Sequence, residues 1–436
     1  MFVLNKKRLA TNDLRKDALE IIESGYLAID IENLLKKRFR VRENKVLEVG
    51  NNNKIVRIDL RKYQRVFVIG FGKGSYAAVS LMVNTLGKNL YKAISLDTKA
   101  SFKSPKVSKK LKAFWGTHPT PSKKNVEATK EIISAIKDLN SKDLVIYFIG
   151  GGGSSLLCGS QIEARYSKWL FKKLTQKGAN IEELNIVRKH ISEVKGGNLS
   201  KLTYPADSIS LIVSDVIGNS FKTIASGPTV FDSSTIKDAL MILRKYKISL
   251  PKEVSLIETP KEKKYFSKCK YFLLASNKDA ALAMKKRAKD LGYKASIESL
   301  AIFGEARKVI LPFVKKIRKK QAIILAGETT VKIKGNGKGG RNQEVALSVL
   351  SLAQKKKLSL NNLLVASFSS DGFDNTPVAG AIVDKESLAK SQNFSLDPLK
   401  YLDNNDSYNF FQKIGDFIKV RRRAFNVSDL MLVLRK

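Results

Sequence analysis

The segment Leu144-Val145-Ile146-Tyr147-Phe148-Ile149-Gly150-Gly151-Gly152-Gly153-Ser154-Ser155-Leu156-Leu157 decides how this chain is read. Six consecutive apolar residues without alternation predict a strand covered on both faces. Four glycines follow at its carboxyl end, and apolar residues bound them tightly on both sides, so they read as a turn rather than a linker. A turn of this kind lets backbone N–H groups approach a ligand closely. It predicts that Gly151, Gly152, Gly153 and Ser154 form a cradle for phosphate or carboxylate.

The same order of parts recurs upstream. Arg65-Val66-Phe67-Val68-Ile69 predicts a second buried strand, followed by Gly70-Phe71-Gly72-Lys73-Gly74-Ser75 and an apolar helix from Tyr76 to Leu86. The third glycine of a dinucleotide fingerprint would fall at Ser75, and the spacing is not that of a P-loop. What remains is a strand, a turn containing Gly72, and Lys73 at a helix start, where its charge faces any anion the helix end binds.

Three further strands end in chemically capable residues. Ile209 to Val213 leads into Ser214-Asp215, and Leu363 to Phe368 leads into Ser369-Ser370-Asp371. An aspartate just beyond a buried strand is placed to hold a metal or to take a proton. Ala322 to Ala326 and Gly327-Glu328-Thr329 precede the run Gly335-Asn336-Gly337-Lys338-Gly339-Gly340-Arg341-Asn342-Gln343-Glu344, and Val345 to Ala353 has the spacing of a buried helix. That run predicts a phosphate-binding loop in which Gly339, Gly340 and Asn342 approach the ligand and Arg341 grips an anion in bidentate fashion. Between Leu184 and Leu199, Arg188, Ser192 and Lys195 recur at helical spacing, which predicts a helix with one basic, polar face.

Strand, turn and helix therefore alternate along most of the chain. This predicts an α/β protein of two domains, each with a mostly parallel or mixed sheet flanked by helices, and ligands beyond the carboxyl ends of the strands. The charged, weakly periodic stretch from Asp232 to Lys268, with Pro251 and Pro260, places the boundary, giving domains 1–255 and 256–436 with a cleft between them as the expected site.

Bulk properties narrow the class. The chain has 436 residues and is 43% hydrophobic, without an apolar run of membrane-spanning length. Its first residues lack the apolar stretch of a secretory signal, so the expectation is a cytoplasmic protein. Two cysteines argue against a disulfide framework and against a Cys-based zinc site. The net charge of +40 invites a nucleic-acid reading, but the lysines are spread through nearly every segment with only short clusters, such as Arg421 to Arg423. A diffuse positive field of this kind suits the capture of small anionic substrates better than nucleic acid. Oligomeric state is not legible.

Taken together, Gly72-Lys73, His118-Pro119, Gly151-Gly152-Gly153-Ser154, Asn185 with Arg188, Lys195-Gly196-Gly197, Ser214-Asp215-Val216, Ser226-Gly227-Pro228-Thr229, Gly327-Glu328-Thr329-Thr330, Gly339-Gly340-Arg341-Asn342-Gln343-Glu344, Ser370-Asp371-Gly372 and Ala379 to Asp384 resemble the class II glycerate 2-kinase family, whose carboxyl-terminal part is the MOFRL domain. The resemblance implies a Rossmann-like N-terminal domain and a MOFRL-type C-terminal domain. It also implies transfer of the γ-phosphoryl group of ATP to the 2-hydroxyl of D-glycerate, with Mg²⁺. Lys73 and Arg341 would be the catalytic cations, and Arg188 and Lys195 would suit the substrate carboxylate. Asp215 or Asp371 would hold the metal or take the proton, and Glu328 is a further metal candidate. Members have also carried the label hydroxypyruvate reductase. A catalytically impaired relative that binds polyanions through its basic surface is the third reading. One stretch departs from the family: where a Gly/Thr-rich run is usual, the chain has Lys419-Val420-Arg421-Arg422-Arg423-Ala424-Phe425-Asn426-Val427-Ser428-Asp429, of which only Asn426, Val427 and Asp429 hold the pattern.

Overall fold

The computed structural model describes residues 1–50, 55–99, 108–214, 218, 220–421 and 425–436. They form two compact units, one of residues 34–274 and one of residues 1–33 with 275–436.

In the 34–274 unit a small sheet, β1 (Phe39–Arg42), β2 (Val46–Gly50) and β3 (Ile55–Asp59), precedes a six-stranded one. The larger sheet contains β4 (Arg65–Phe71), β5 (Lys92–Thr98), β6 (Leu111–Gly116), β7 (Asp143–Ile149), β8 (Asp207–Val213) and β9 (Cys269–Ala275), in the order β6-β5-β4-β7-β8-β9. From β6 to β8 every pairing is parallel. The chain runs outward from β4 through β5 to β6, then returns to the other side of β4 as β7. That is the doubly wound order of a Rossmann-type sheet, and its direction reverses between β4 and β7. Every residue of β7 is buried, which is why its sequence shows no alternation. Phe71 pairs with Ile149, so the two central strands end level and the turns after them emerge side by side.

In the other unit β10 (Lys294–Glu305), β11 (Gln321–Thr330), β12 (Leu363–Ser369), β13 (Gly380–Val383), β14 (Phe417–Ile418) and β15 (Asp429–Arg435) form a mixed sheet, ordered β10-β11-β15-β12-β13-β14. Only the β10/β11 pairing is parallel. β15 runs between β11 and β12 and opposite to both, with Asp429 level with Gly327 and Ser369. The start of β15 thus lies at the edge where β11 and β12 finish. The Arg341–Gln354 helix is buried over most of its length, with Val345, Val349 and Leu350 in the core beside Leu325, Val365 and Val433.

Several expectations change. The division does not fall at 255/256. Residues 256–274 stay with the first unit because β9 completes its sheet. The first 33 residues belong with the C-terminal part, because the Asp13–Ala28 helix packs on the Asn277–Asp290 helix and Arg15 is fully buried among distant acids. Arg15 donates to both oxygens of Asp384 at 2.7 Å and to Asp416 at 3.0 Å. The helix expected to carry Arg188, Ser192 and Lys195 on one face stops at Lys189, so these three do not share a helical face. β1 to β3, β5, β6 and β10 gave no strand signal, since basic or short segments mask the alternation. Among the described residues no helix is long and apolar enough to cross a membrane.

Candidate functional site

The level ends of β4 and β7 bring two glycine turns into contact. Gly72 has φ +106°, a conformation that L side chains rarely adopt, and a methyl group there would collide with the carbonyl of Gly150. The N–H of Lys73 donates to the carbonyl of Gly151 at 2.8 Å, and the N–H of Gly150 donates to the carbonyl of Phe71 at 2.9 Å. Each turn therefore holds the other in shape. The first enters the twelve-residue Ser75–Leu86 helix and the second the short Gly153–Leu156 helix. Both lie where the winding of the sheet reverses, the position at which such sheets take their ligands.

Lys73 and His118 flank this turn. A methyl on Gly152 would lie 2.9 Å from Cδ2 of His118 and 3.7 Å from Cγ of Lys73. Burial pushes the His118 imidazole down to about 4, and the nearby Lys73 charge acts in the same direction. The ring is accordingly neutral at pH 7, while the site keeps the positive charge of Lys73.

A hydrogen-bond chain leads from the glycine turn to Arg188. Ser154 Oγ and Ser226 Oγ are 3.0 Å apart, Ser226 donates to Asn185 Oδ1 at 3.1 Å, and Arg188 donates to the same oxygen at 3.3 Å. Asn185 and Arg188 stand three residues apart on the Ile181–Lys189 helix and so share a face. Ser226 and its neighbour Ala225 are held at φ +62° and +51°, a costly backbone for residues with a β-carbon. Arg188 is half-buried over the ring of Phe171 and has no acidic ion-pair partner among the described residues. Burial lowers its affinity for a proton, opposed by the charge of Glu163. A guanidinium in this condition gains from an anion that a substrate would bring.

Lys195 does not belong to this group. It is buried, and its ammonium donates to the Leu157 carbonyl at 2.8 Å, to Ser192 Oγ at 3.4 Å and to Glu163. Glu163 in turn accepts from the Gly159 N–H at 2.9 Å and Ser192 Oγ at 3.0 Å. All three protons of Lys195 are used internally, so the expectation that it meets a substrate carboxylate is corrected to a structural role beneath the glycine turn.

In the other unit the glycine loop before Arg341 is also different from the expectation. The N–H groups of Lys334 and Gly335 donate to Asn405 Oδ1, that of Gly337 to the Asn404 carbonyl, and that of Lys338 to Asp406. A methyl on Gly340 would overlap Asp374. The Asp374 carboxylate accepts from the N–H groups of Asn342 at 3.2 Å and Gln343 at 3.0 Å, so it occupies the start of the Arg341–Gln354 helix. The anion this helix end attracts is an internal one. Asn342 is fully buried and bonds to Asp374, Asp429 and Ser367. Of the expected phosphate contacts, Asn342 has internal partners for its side chain, and Gly339 and Gly340 pack closely on Ser407 and Asp374.

Arg341 does reach the sheet edge. Its Nε lies 2.6 Å from Asp429, and it also pairs with Glu328. Burial opposes the charge on Arg341, but Asp429 and Glu328 outweigh it and hold the guanidinium protonated. Burial drives Asp429 up to about 7, against the pull of Arg341 and Asn342. Glu328, expected as a metal ligand, is thus ion-paired with Arg341. Asp371 follows β12 at the same edge and accepts from the Phe373 N–H at 3.1 Å. Asp215 lies outside the described residues, as do Arg422 and Arg423. The flanks of that last segment are built in: the N–H of Phe425 donates to the Ile29 carbonyl at 3.0 Å and that of Val427 to Ser370 Oγ at 2.8 Å.

Among the described residues no three His, Cys, Asp or Glu side chains are gathered to cage a metal ion. Magnesium at a phosphoryl-transfer site takes one or two protein carboxylates and completes its shell with phosphate oxygens and water. Of the three carboxylates expected to serve it, Asp371 is described at the end of β12 and Glu328 is ion-paired with Arg341.

Sequence reasoning left His118, Asn185, Ser226, Asp374 and Asp429 without site roles. Asn185 was accessible from its three-residue spacing to Arg188. Asp374 and Asp429 were not, because their partners are 32 and 87 residues away.

Known proteins agree with this architecture. Residues 17–257 match a domain of unknown function, DUF4147, and residues 321–429 match the MOFRL family. A D-glycerate 2-kinase of Thermotoga maritima is 34% identical over 388 residues, covering 85% of this chain and 90% of its own. A glycerate 2-kinase of Picrophilus torridus is 32% identical over 444 residues, covering 99% of this chain and 98% of its own. The crystal structure of a glycerate kinase from Thermotoga maritima superposes with a TM-score of 0.83 at 31% identity, covering 97% of this chain and 99% of that one. With both halves matched and relatives similar over nearly their full length, the chain belongs to the class II glycerate 2-kinase family.

Proposed function

We propose that the protein transfers the γ-phosphoryl group of ATP to the 2-hydroxyl of D-glycerate, giving 2-phosphoglycerate and ADP. The observation that carries this reading is the interlock of the Gly72–Lys73 and Gly150–Gly152 turns at the reversal of the sheet. It sets a lysine and close-approaching backbone where an anionic ligand is received. Family membership supplies the reaction class.

In this reading Lys73 neutralises the charge that spreads over the transferred phosphoryl group, and Arg341 is the second cation, with Asp429 holding its guanidinium in orientation. The turn of Gly151 and Gly152 receives phosphate or carboxylate, and Ser154, Ser226 and Asn185 set the position of Arg188 for the substrate carboxylate. The 2-hydroxyl oxygen forms a bond to the γ-phosphorus as the bond to the β,γ-bridging oxygen breaks, and its proton passes to a carboxylate, Asp215 or Asp371. Magnesium, held by the other of these two carboxylates together with nucleotide oxygens, would neutralise charge on the β- and γ-phosphates.

The test is ADP release with D-glycerate as acceptor, followed by phosphorus NMR of the product. A 2-phosphate ester and a loss of turnover of about a hundredfold or more in Lys73→Ala and in Arg341→Ala are expected. Activity within a few-fold of wild type in both variants, or NADH oxidation with hydroxypyruvate and no ADP release, refutes the proposal.

A further inference from the structure

The small sheet formed by β1, β2 and β3 lies outside the chemistry described above, and one of its faces is a concavity of about 610 Å³. Its register explains the lining. Arg40 pairs with Glu48, and Glu48 with Arg57, across the three strands, so these side chains leave the sheet on one face. Arg42, two residues from Arg40, leaves on the same face. The opposite face carries Phe39, Leu47, Val49 and Ile58, all buried. The sheet is therefore amphipathic, and its polar face carries Arg40, Arg42 and Arg57 with Glu48 and Asp59. Lys37, Arg38, Arg40, Arg42 and Arg57 line the concavity around the single carboxylate of Glu48.

The arginines are anchored in a particular way. Arg42 pairs with Glu48 through Nε at 2.7 Å, and Arg57 does so through Nε at 3.1 Å. Arg40 donates from its Nε to the Lys36 carbonyl at 2.6 Å. Arg40, Arg42 and Arg57 are each held by the inner nitrogen, which leaves the terminal fork to engage a planar or tetrahedral oxyanion, whereas Arg38 is held through a terminal nitrogen by the Leu274 carbonyl. Five cations about one carboxylate repel one another, and an arriving anion with several charges relieves that repulsion.

We propose that this face is a second anion site that binds a compact oligophosphate or a small multiply phosphorylated metabolite. The volume lies within the range of small-ligand sites. None of the residues lining it is aromatic, so it lacks the stacking platform on which single-stranded nucleic acid depends. The assignment does not rest on the proposed kinase activity.

The experiment is calorimetric titration of the full chain with inorganic triphosphate at low salt, comparing wild type, Arg40→Gln/Arg57→Gln and Lys73→Ala. Two classes of site are expected in wild type. The double variant should weaken one class by about tenfold or more, the equivalent of at least one hydrogen bond to a charged group, and Lys73→Ala should leave that class in place. Circular dichroism checks that the double variant is folded, and Arg40→Lys/Arg57→Lys should recover part of the binding. Unchanged triphosphate binding in the folded double variant overturns the proposal. So does binding of a ten-nucleotide single-stranded RNA that the double variant abolishes while triphosphate does not bind.

Discussion

The N–H of Lys73 donates to the carbonyl of Gly151 across 2.8 Å, tying the turn after β4 to the turn after β7. One turn carries the cation and the other the close-approaching backbone, so neither can be altered without moving its partner. This coupling makes the site a property of two adjacent strands.

Gly72→Ala is the direct probe of that coupling. The left-handed φ alone should cost about 1–3 kcal/mol, and the collision with the Gly150 carbonyl adds to it. Denaturant unfolding should show the loss, and turnover measured on the folded fraction should fall with it. Wild-type stability and turnover together would falsify the interlock.

Lys195 and Glu163 form a buried pair, so removing one charge strands the other. Lys195→Met or Glu163→Gln should each destabilise by about 3–5 kcal/mol. The double replacement should recover much of the loss. A Lys195 variant that keeps its stability and only raises KM would return the residue to substrate binding.

Arg188 behaves in the opposite way, because it lacks an acidic ion-pair partner among the described residues. Arg188→Met should leave stability unchanged or raise it. It should also raise KM for the hydroxy acid by about ten- to a hundredfold, the worth of a hydrogen bond to a charged group. An unaltered KM removes Arg188 from the carboxylate site.

Asp374 holds the start of the Arg341–Gln354 helix. Asp374→Ala leaves the N–H groups of Asn342 and Gln343 without their acceptor, at about 1–3 kcal/mol for each buried group. If an inorganic phosphate ion restores the lost melting temperature in this variant, the helix end is an anion site in its own right, and the capping role assigned here is wrong.

Two groups bend the stability profile in opposite directions. Asp429 binds its proton more tightly when folded, up to about 7, so it lowers stability as pH rises from about 4 to about 7. His118 binds its proton less tightly when folded, down to about 4, so it lowers stability as pH falls from about 6.5 to about 4. Each effect is at most about 1.4 kcal/mol per pH unit, and they oppose each other over most of that window. Asp429→Asn should therefore make stability rise more steeply with pH, and His118→Gln should make it fall. Melting curves of both variants across pH 4 to 7 check the signs, and parallel profiles would contradict both assignments.

Local pattern was enough to determine the class of fold, the strands β4, β7, β8, β11 and β12, and the turns at Gly72 and Gly150, because each depends on neighbours only a few residues apart. It was also enough to bring out the family through motifs that stay in order along the chain. What the glycines and charges do was decided by tertiary structure. The run from Gly335 to Gly340 and the four glycines from Gly150 look alike as sequence, yet one is filled by Asn404 to Asp406 and Asp374 while the other lies beside Lys73 and His118. Arg188 and Lys195 stand seven residues apart with the same charge, but Glu163 reaches only Lys195 as an ion-pair partner. The attachment of the first 33 residues to the C-terminal unit rests on Arg15 meeting Asp384 and Asp416, separations of 369 and 401 residues. A charge buried at such distance is set by packing that no local periodicity encodes.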